Sequence, residues 1–373
     1  MKTNERRKSL MRSPLLLWDI LLKGRYDFIF DLMPLSARRM SMLKRYNLLK
    51  AGATLIYRRL KPWSWPLHMQ IELTNYCDLK CPVCPTGIRE MRRDPKAMDV
   101  SLFEHLMDEL GPYLLTAALW AWGEPLLHPR LEEILRIARK HPVITLLSTN
   151  GQNLISDKIM DALIHYPPHF LIIAIDGLED QTYSKFRIGA RLEPVLSGVR
   201  RLVKKKREEG LNLPILHMRY MVMKHNEHEV PRLKNFAREN GFDFLTLRTL
   251  SIIDSPREVH QAFVPEAKEL RAYDYEGRNR IRRSDFICQQ PFWFPTVFAD
   301  GTVVPCEQDY NAQQSFGKFS ADMSFADLWF GRQSTTIRRM IRDAPESLSF
   351  CRDCPYADRW AGACSIRAFN LMD

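Results

Sequence analysis

The sequence lacks both an export signal and a membrane-spanning run. Its first apolar stretch, Pro14 to Trp18, is broken by Asp19 and followed by no small-residue cleavage site, far short of the roughly 20 residues a spanning helix needs. Without export, eight cysteines are better explained by metal or redox chemistry in the cytoplasm than by a disulfide framework. There is no low-complexity segment, no internal repeat beyond the alternation described below, and no evident nucleic-acid-binding module. Acidic residues are in deficit: Lys and Arg exceed Asp and Glu by eleven. That balance suits nucleic acid, anionic lipid, an acidic peptide or plain solubility, and selects none of them. What is present is ordinary globular material, 45% hydrophobic over 373 residues, enough for one large domain and one or two smaller pieces.

Residues 1–66 read as a basic helical extension, with Leu15, Trp18, Leu21 and Leu22, then Phe28, Ile29, Leu32, Leu43, Leu48 and Leu49 at roughly helical spacing. Such helices pack against the main domain or rest, as a basic amphipathic element, on a membrane surface. From Leu67 to Leu250 strand-like runs at 67–73, 114–121, 143–148, 170–175, 215–223 and 244–250 alternate with helix candidates near 101–110, 129–140, 156–165, 191–209 and 228–240. Six such repeats predict an α/β fold of parallel βα units, with functional groups in loops at the strands' carboxyl ends. Residues 251–285 read as a linker. Residues 286–373 form a small cysteine-rich domain, in which Thr296–Phe298 and Thr302–Val304 flank the turn Ala299-Asp300-Gly301 as a hairpin.

Cys77, Cys81 and Cys84 fall in the loop after the first strand, within Glu72-Leu-Thr-Asn-Tyr-Cys77-Asp-Leu-Lys-Cys81-Pro-Val-Cys84-Pro. Three thiolates in one loop can wrap a single metal centre, and sulfur ligands favour iron-sulfur or zinc. A closed zinc site wants a fourth ligand, and no further Cys or His lies nearby in sequence. The CxxxCxxC spacing in this position resembles the signature of the radical S-adenosylmethionine (radical SAM) superfamily. That resemblance implies a partial (β/α)6 barrel and a 4Fe-4S cluster held by three cysteines. The open iron of that cluster chelates S-adenosylmethionine, which is cleaved to a 5'-deoxyadenosyl radical that abstracts hydrogen from substrate. Val83 stands where the family usually has an aromatic residue.

Later motifs follow in strand order. Trp122-Gly123-Glu124-Pro125 resembles the family's GGEP motif, which holds the amino group of S-adenosylmethionine, with Trp122 in place of the first Gly. Gly123 permits close backbone approach, and Glu124 can accept from an ammonium. Ser148-Thr149-Asn150-Gly151 is similar to the STNG segment near the ribose, and equally forms a hydrogen-bonded turn closing the strand. Ile175-Asp176-Gly177 resembles the S-x-D-G element, with Ala174 replacing the Ser. Tyr183-x-x-Phe186-Arg187-x-Gly189 resembles a stretch of SPASM-type members whose Arg pairs with the cofactor carboxylate, a role suited to a planar guanidinium. Asn226 lies in a segment similar to the fifth-strand exit, without an assigned role.

Gly301-x4-Cys306, preceded by Cys288 and followed by Cys351-x2-Cys354, resembles the SPASM and twitch auxiliary domains. Four thiolates from a hairpin and a knuckle can close one auxiliary 4Fe-4S cluster, or equally a zinc site. Trp360 stands where a full SPASM domain has another Cys, so a single auxiliary cluster is expected and Cys364 is left unassigned. Glu307, beside Cys306, occupies the place of an Asp proposed as a proton acceptor in peptide-modifying members.

The expected function is a radical SAM oxidoreductase or maturase acting on a peptide or small biosynthetic intermediate, fed electrons by a flavodoxin or ferredoxin. The alternatives are radical modification or methylation of RNA, favoured by the basic balance, and a non-enzymatic zinc-stabilised scaffold.

Overall fold

The computed structural model describes residues 15–57, 59–250, 262–271, 273–276, 279–282, 286–358 and 365–372. A helical turn over 15–23 ends at Gly24, which takes a left-handed φ of 60°. Strands β1 (Tyr26–Phe30) and β2 (Met33–Ala37) then pair antiparallel, and helix α1 (Met42–Ile56) follows, its amino end capped by Ser41. The extension is thus helical only in part. The spacing of Phe28, Ile29 and Leu32 suggested a helix, but Asp31 and Leu32 sit at φ 50° and 65°. Two consecutive left-handed residues make the tight turn whose twist matches a hairpin, and Tyr26–Phe30 alternates half-buried and exposed along its length.

Six strands form the body: β3 (His68–Ile71), β4 (Thr116–Ala118), β5 (Ile144–Thr149), β6 (Phe170–Ala174), β7 (Ile215–Val222) and β8 (Phe244–Thr249). They pair in that order, every pair parallel. Between them run α2 (Val100–Leu110), α3 (Leu131–Arg139), α4 (Asp157–His165), α5 (Asp180–Phe186), α6 (Leu192–Glu208) and α7 (Leu233–Glu239). The reason is visible in β6, whose five residues are all buried and apolar, as a central parallel strand covered on both faces requires. Leu171 and Ile173 join the cluster under the helices, while Phe170 and Ile172 face inward with Leu146 and Phe244. Met33 and Leu35 of β2 pack on that inner cluster, so the hairpin closes the end of the barrel where the strands begin.

The expected small cysteine-bearing domain adds its strands to the edges of the same sheet. Beyond the small ribbon β9 (Tyr275–Glu276) and β10 (Asn279–Arg280), strand β11 (Thr296–Val297) runs parallel to β3. Strands β12 (Thr302–Val304) and β13 (Gly317–Lys318) extend that edge antiparallel, with Gly301 at φ 90° in the expected hairpin turn. Helices α8 (Phe325–Trp329) and α9 (Arg332–Asp343) follow. Strand β14 (Ser365–Asn370) then pairs antiparallel with β8 at the opposite edge. An open six-stranded sheet leaves two edges of unpaired backbone, and the tail covers both.

Candidate active site

The loop after β3 carries Cys81 buried and Cys77 and Cys84 partly buried. It is held tightly: a Cβ on Gly87 would meet the Cys81 carbonyl oxygen at 2.4 Å, so only glycine lets the loop fold back on itself. Asp78 anchors its other flank, accepting from the side-chain amides of Asn150 at 2.7 Å and Asn153 at 3.0 Å. The Asn150 amide also lies 3.7 Å from the Cys77 sulfur. Gly87 and Asp78 had no distinguishing signal in the sequence beyond their closeness to the cysteines.

Gly123 follows β4, and a Cβ there would meet the Thr74 carbonyl oxygen at 2.1 Å. The backbone thus passes directly over the segment that leads from β3 into the cysteine loop, and Glu124 N donates to the Tyr76 carbonyl at 2.9 Å. Glu124 is fully enclosed. Its Oε1 accepts from Thr149 Oγ1 at 2.6 Å and Leu126 N at 3.0 Å, and its Oε2 from Asn150 N at 2.7 Å. Burial outweighs these donors and pushes its pKa up to about 7. Pro125 opens the short helical turn that this carboxylate caps. Ser148, half-buried, shares its face of β5 with the inward-facing Leu146, and Asn150 sits just past the strand's carboxyl end.

Asp176, after β6, is buried and divides its oxygens: Oδ1 accepts from Met221 N at 2.7 Å and Oδ2 from Arg187 Nε at 2.6 Å. Arg187, at the end of α5, then turns Nη1 to within 3.9 Å of the Cys81 sulfur. Asn226 acquires a structural task. Its amide donates to the carbonyls of Asp176 and Met221, each at 2.9 Å, and its Oδ1 accepts from Met223 N at 2.6 Å, which ties the ends of β6 and β7 together. Cys77, Cys81, Glu124, Asn150, Asp176 and Arg187 are thereby gathered over the carboxyl ends of β3 to β6.

The second cysteine group comprises Cys288, Cys306, Cys351 and Cys354, each within electrostatic reach of another. Cys364 lies outside the described residues. Glu307 stands at the seam between the two groups. Its carbonyl accepts from the Trp122 indole at 2.8 Å, and its carboxylate accepts from the Tyr356 hydroxyl. Trp122, a departure from the expected glycine, therefore links the loop after β4 to the auxiliary region. Beneath it, Arg93 holds the buried Glu72 through two hydrogen bonds of 2.6 and 2.7 Å, and the same carboxylate accepts from Ala299 N at 3.1 Å. The ion pair thus joins the cysteine loop to the hairpin of β11 and β12.

Burial pushes the Cys288 thiol up to about 12 and raises those of Cys77, Cys81, Cys306, Cys351 and Cys354. Thiols so placed ionise only against a compensating positive charge, which a metal centre supplies. Among the described residues no three His, Cys, Asp or Glu side chains are grouped to hold one metal ion. A four-iron cluster spreads its thiolates over the corners of a cube and needs no such convergence, so the all-sulfur donor sets fit iron-sulfur clusters.

Comparison with known proteins agrees. Residues 71–237 match the radical SAM superfamily and residues 288–355 an iron-sulfur cluster-binding domain, SPASM. The chain is 22% identical over 321 residues to a tungsten-containing aldehyde ferredoxin oxidoreductase cofactor-modifying protein of Pyrococcus furiosus, covering 78% of this chain and 88% of that one. It is 22% identical over 325 residues to a PqqA peptide cyclase of Granulibacter bethesdensis, covering 82% and 84%. The fold resembles that of Streptococcus suis SuiB bound to precursor peptide SuiA, with a TM-score of 0.58 at 17% identity over 86% of this chain and 76% of that one.

Proposed function

Because the chain carries a radical SAM domain followed by a SPASM iron-sulfur cluster-binding domain, we propose that it is an oxidoreductase-type maturase acting on a peptide or a small biosynthetic intermediate. It is a radical SAM enzyme whose cofactors are 4Fe-4S clusters and S-adenosylmethionine. The observation that carries the reading is the gathering of Cys77, Cys81, Asn150, Asp176 and Arg187 at one end of the barrel. Cys77, Cys81 and Cys84 would hold the cluster, which with S-adenosylmethionine would supply radical chemistry for hydrogen abstraction.

The chain's own residues position that chemistry. Asp176 fixes the Arg187 guanidinium through Nε, leaving the terminal nitrogens to meet a carboxylate beside Cys81. Glu124 spends three acceptor positions on the protein and keeps capacity on Oε2 for an amino group. Gly123 and Pro125 shape its turn, Ser148 lines the barrel beside it, and Asn150 orients the cysteine loop. In the second group, Cys288, Cys306, Cys351 and Cys354 would hold the auxiliary cluster. Glu307, whose position Trp122 and Tyr356 fix, accepts the proton lost from substrate. A peptide substrate is supported by the relative named for peptide cyclisation and by SuiB with its precursor peptide; a small-molecule substrate is supported by the cofactor-modifying relative. The electron donor in this reading is a flavodoxin or ferredoxin, and the compartment is the cytoplasm.

The test is anaerobic reconstitution with iron and sulfide analysis and an assay for 5'-deoxyadenosine, on the native chain and on Cys77→Ala/Cys81→Ala/Cys84→Ala. About eight irons per chain, falling to about four with cofactor cleavage abolished in the triple variant, is the expected result. Zinc without iron, and no cleavage under strong reductant, would overturn it.

A further inference from the structure

The surplus positive charge of this protein has an address. Residues 1–66 hold fifteen Lys and Arg against four Asp and Glu, a surplus of eleven, which is the whole net charge of the chain; residues 67–373 balance at forty of each. A charge so segregated marks a surface that meets something anionic.

Exposed apolar side chains are concentrated in the same segment. Among the described residues, nineteen large hydrophobic side chains are exposed, and thirteen of them lie between Leu15 and Trp63. The turn of helix over 15–23 buries Ile20 alone and exposes Leu16, Trp18, Leu21 and Leu22. Helix α1 is inverted. Its inward face carries Lys44, Asn47, Leu48, Ala51 and Thr54, three of them polar, while Met42, Leu43, Tyr46 and Ile56 point outward. Lys44 reaches in to the Pro142 carbonyl and Asn47 accepts from Trp65 N at 2.9 Å, so this register is anchored by buried polar contacts. A helix on a water-facing surface has the opposite arrangement.

Two cations pair with aromatic rings on and just past this helix. Lys50 lies 4.5 Å over the Tyr46 ring and Arg59 lies 4.8 Å over the Trp63 ring. Trp, Tyr and long basic side chains around an apolar face are the composition of an element lying at the bilayer interface, the aromatic rings at headgroup depth and the cations beside lipid phosphates. No helix among the described residues is long and apolar enough to cross a membrane, so the contact is one of lying on the surface.

We propose that residues 15–63 dock this protein onto an anionic phospholipid surface. The exposed leucines and Trp18 enter the interface, and the segment's own surplus, ten Lys and Arg against three Asp and Glu, supplies the attraction. Nucleic acid matches the charge but leaves the exposed leucines without a partner. A second copy of the chain would bring like charges together. The extension sits where the barrel strands begin, with Met33 and Leu35 against Phe170 and Phe244, so docking leaves the cysteine loop at the other end of the barrel clear of the lipid. The inference is independent of the reaction catalysed.

The experiment is flotation of the full-length, reconstituted protein with vesicles of phosphatidylcholine alone or with about a third phosphatidylglycerol, an arbitrary but strongly anionic mixture. Trp18→Glu/Leu22→Glu and Met42→Glu/Tyr46→Glu test the apolar face, and Arg38→Glu/Arg59→Glu tests the charge. Iron content and 5'-deoxyadenosine formation in detergent-free buffer verify folding of each variant. Binding to the anionic vesicles is expected, falling at least roughly tenfold in each apolar variant and about fivefold or more per basic residue reversed. Raising salt from about 0.1 to 1 M, which shortens the screening length from ~10 to ~3 Å, should release most of the protein from the anionic vesicles. Absence of flotation, equal flotation with pure phosphatidylcholine, retention on RNA but not on vesicles, or a dimer dispersed by the same variants without vesicle binding would each overturn the proposal.

Discussion

Cys77, Cys81 and Cys84 lie within eight residues on one loop, whereas Cys288, Cys306, Cys351 and Cys354 are drawn from segments spread over 67 residues. Their surroundings differ as much as their spacing. The first group faces the Arg187 guanidinium and the Asn150 amide, groups that can also address a bound molecule. In both groups the thiols raise the cost of charge on one another, and in the second Arg282 is the cation near Cys351 and Cys354, where its guanidinium donates to the carbonyls of Cys351 and Arg352. A loop whose ligands are local and whose neighbours are polar suits a centre that must receive substrate-sized groups. A centre assembled over long range by burial suits one that is closed and exchanges electrons only.

The sharpest way to break this comparison is to remove one ligand from the closed group. Cys354→Ala should take iron from about eight to about four per chain and lower substrate turnover by at least ~10²-fold. Formation of 5'-deoxyadenosine in the absence of substrate should change by less than about threefold, because no thiol of the first group depends on Cys354. If cleavage falls in step with the iron, the two groups are not separate, and the seam through Trp122 and Glu307 carries more than position.

Backbone approach gives a second, smaller contrast. Gly123→Ala places a methyl group 2.1 Å from the Thr74 carbonyl, against main chain that cannot yield, whereas Gly52→Ala on α1 meets nothing within 4 Å. The first should cost about 2–4 kcal/mol and lower the content of the first cluster, and the second should stabilise α1 by up to ~1 kcal/mol. Urea titrations of the two reconstituted variants, read beside iron content, check both signs. Equal effects would mean that the close pass of Gly123 over Thr74 is not what holds the cysteine loop.

How much of this was legible in the sequence follows from the range of the interactions. The six strands of the barrel announced themselves as short apolar runs, as did five of its helices, because each buries one face against its neighbour in sequence. The seven-residue α5 is too short to show a period, and only the motif resemblance around Tyr183 singles out Arg187 at its end. The hairpin of β1 and β2 was read as helix because its turn, Asp31-Leu32, carries no glycine or asparagine to mark it. The continuation of the barrel sheet by β11 and by β14 joins residues more than a hundred positions apart, and no local pattern encodes such a pairing. In the candidate site, the spacing of Cys77, Cys81 and Cys84 after a strand marks them as ligand candidates, and Asn150 and Asp176 enter only through motifs that resemble the family's. Glu72, paired with Arg93 and accepting from Ala299, looked like one more residue of the cysteine run. Glu124 was read as a group directed at the cofactor, and its three protein donors reveal an equal part in joining the ends of β4 and β5.

That double duty of Glu124 gives the smallest effect and the finest test. Burial raises its folded-state pKa from the ordinary 4.5 to about 7, with Asp78 adding a little repulsion and the Thr149, Asn150 and Leu126 donors working the other way. The folded chain therefore holds this proton more tightly than the unfolded chain does. Its contribution to stability is complete below about pH 4.5 and is lost as pH rises through about 7. Between those limits the slope is at most ~1.4 kcal/mol per pH unit, reduced wherever other groups titrate in the opposite sense. His68, buried and held near 4, is such a group: its neutral form is the one the fold accepts, so its contribution is present above pH 6.5 and falls away toward pH 4. Urea melts of the reconstituted protein from pH 5 to 8, compared with Glu124→Gln, isolate the carboxylate, since the amide keeps an acceptor for Thr149 and Leu126 but cannot ionise. The native chain should lose stability relative to the variant as pH rises across 5 to 7 and run parallel to it above 7.5. A difference that stays flat across the window would mean that Glu124 is already ionised in the folded state, held so by the donors from β5 rather than kept protonated by burial.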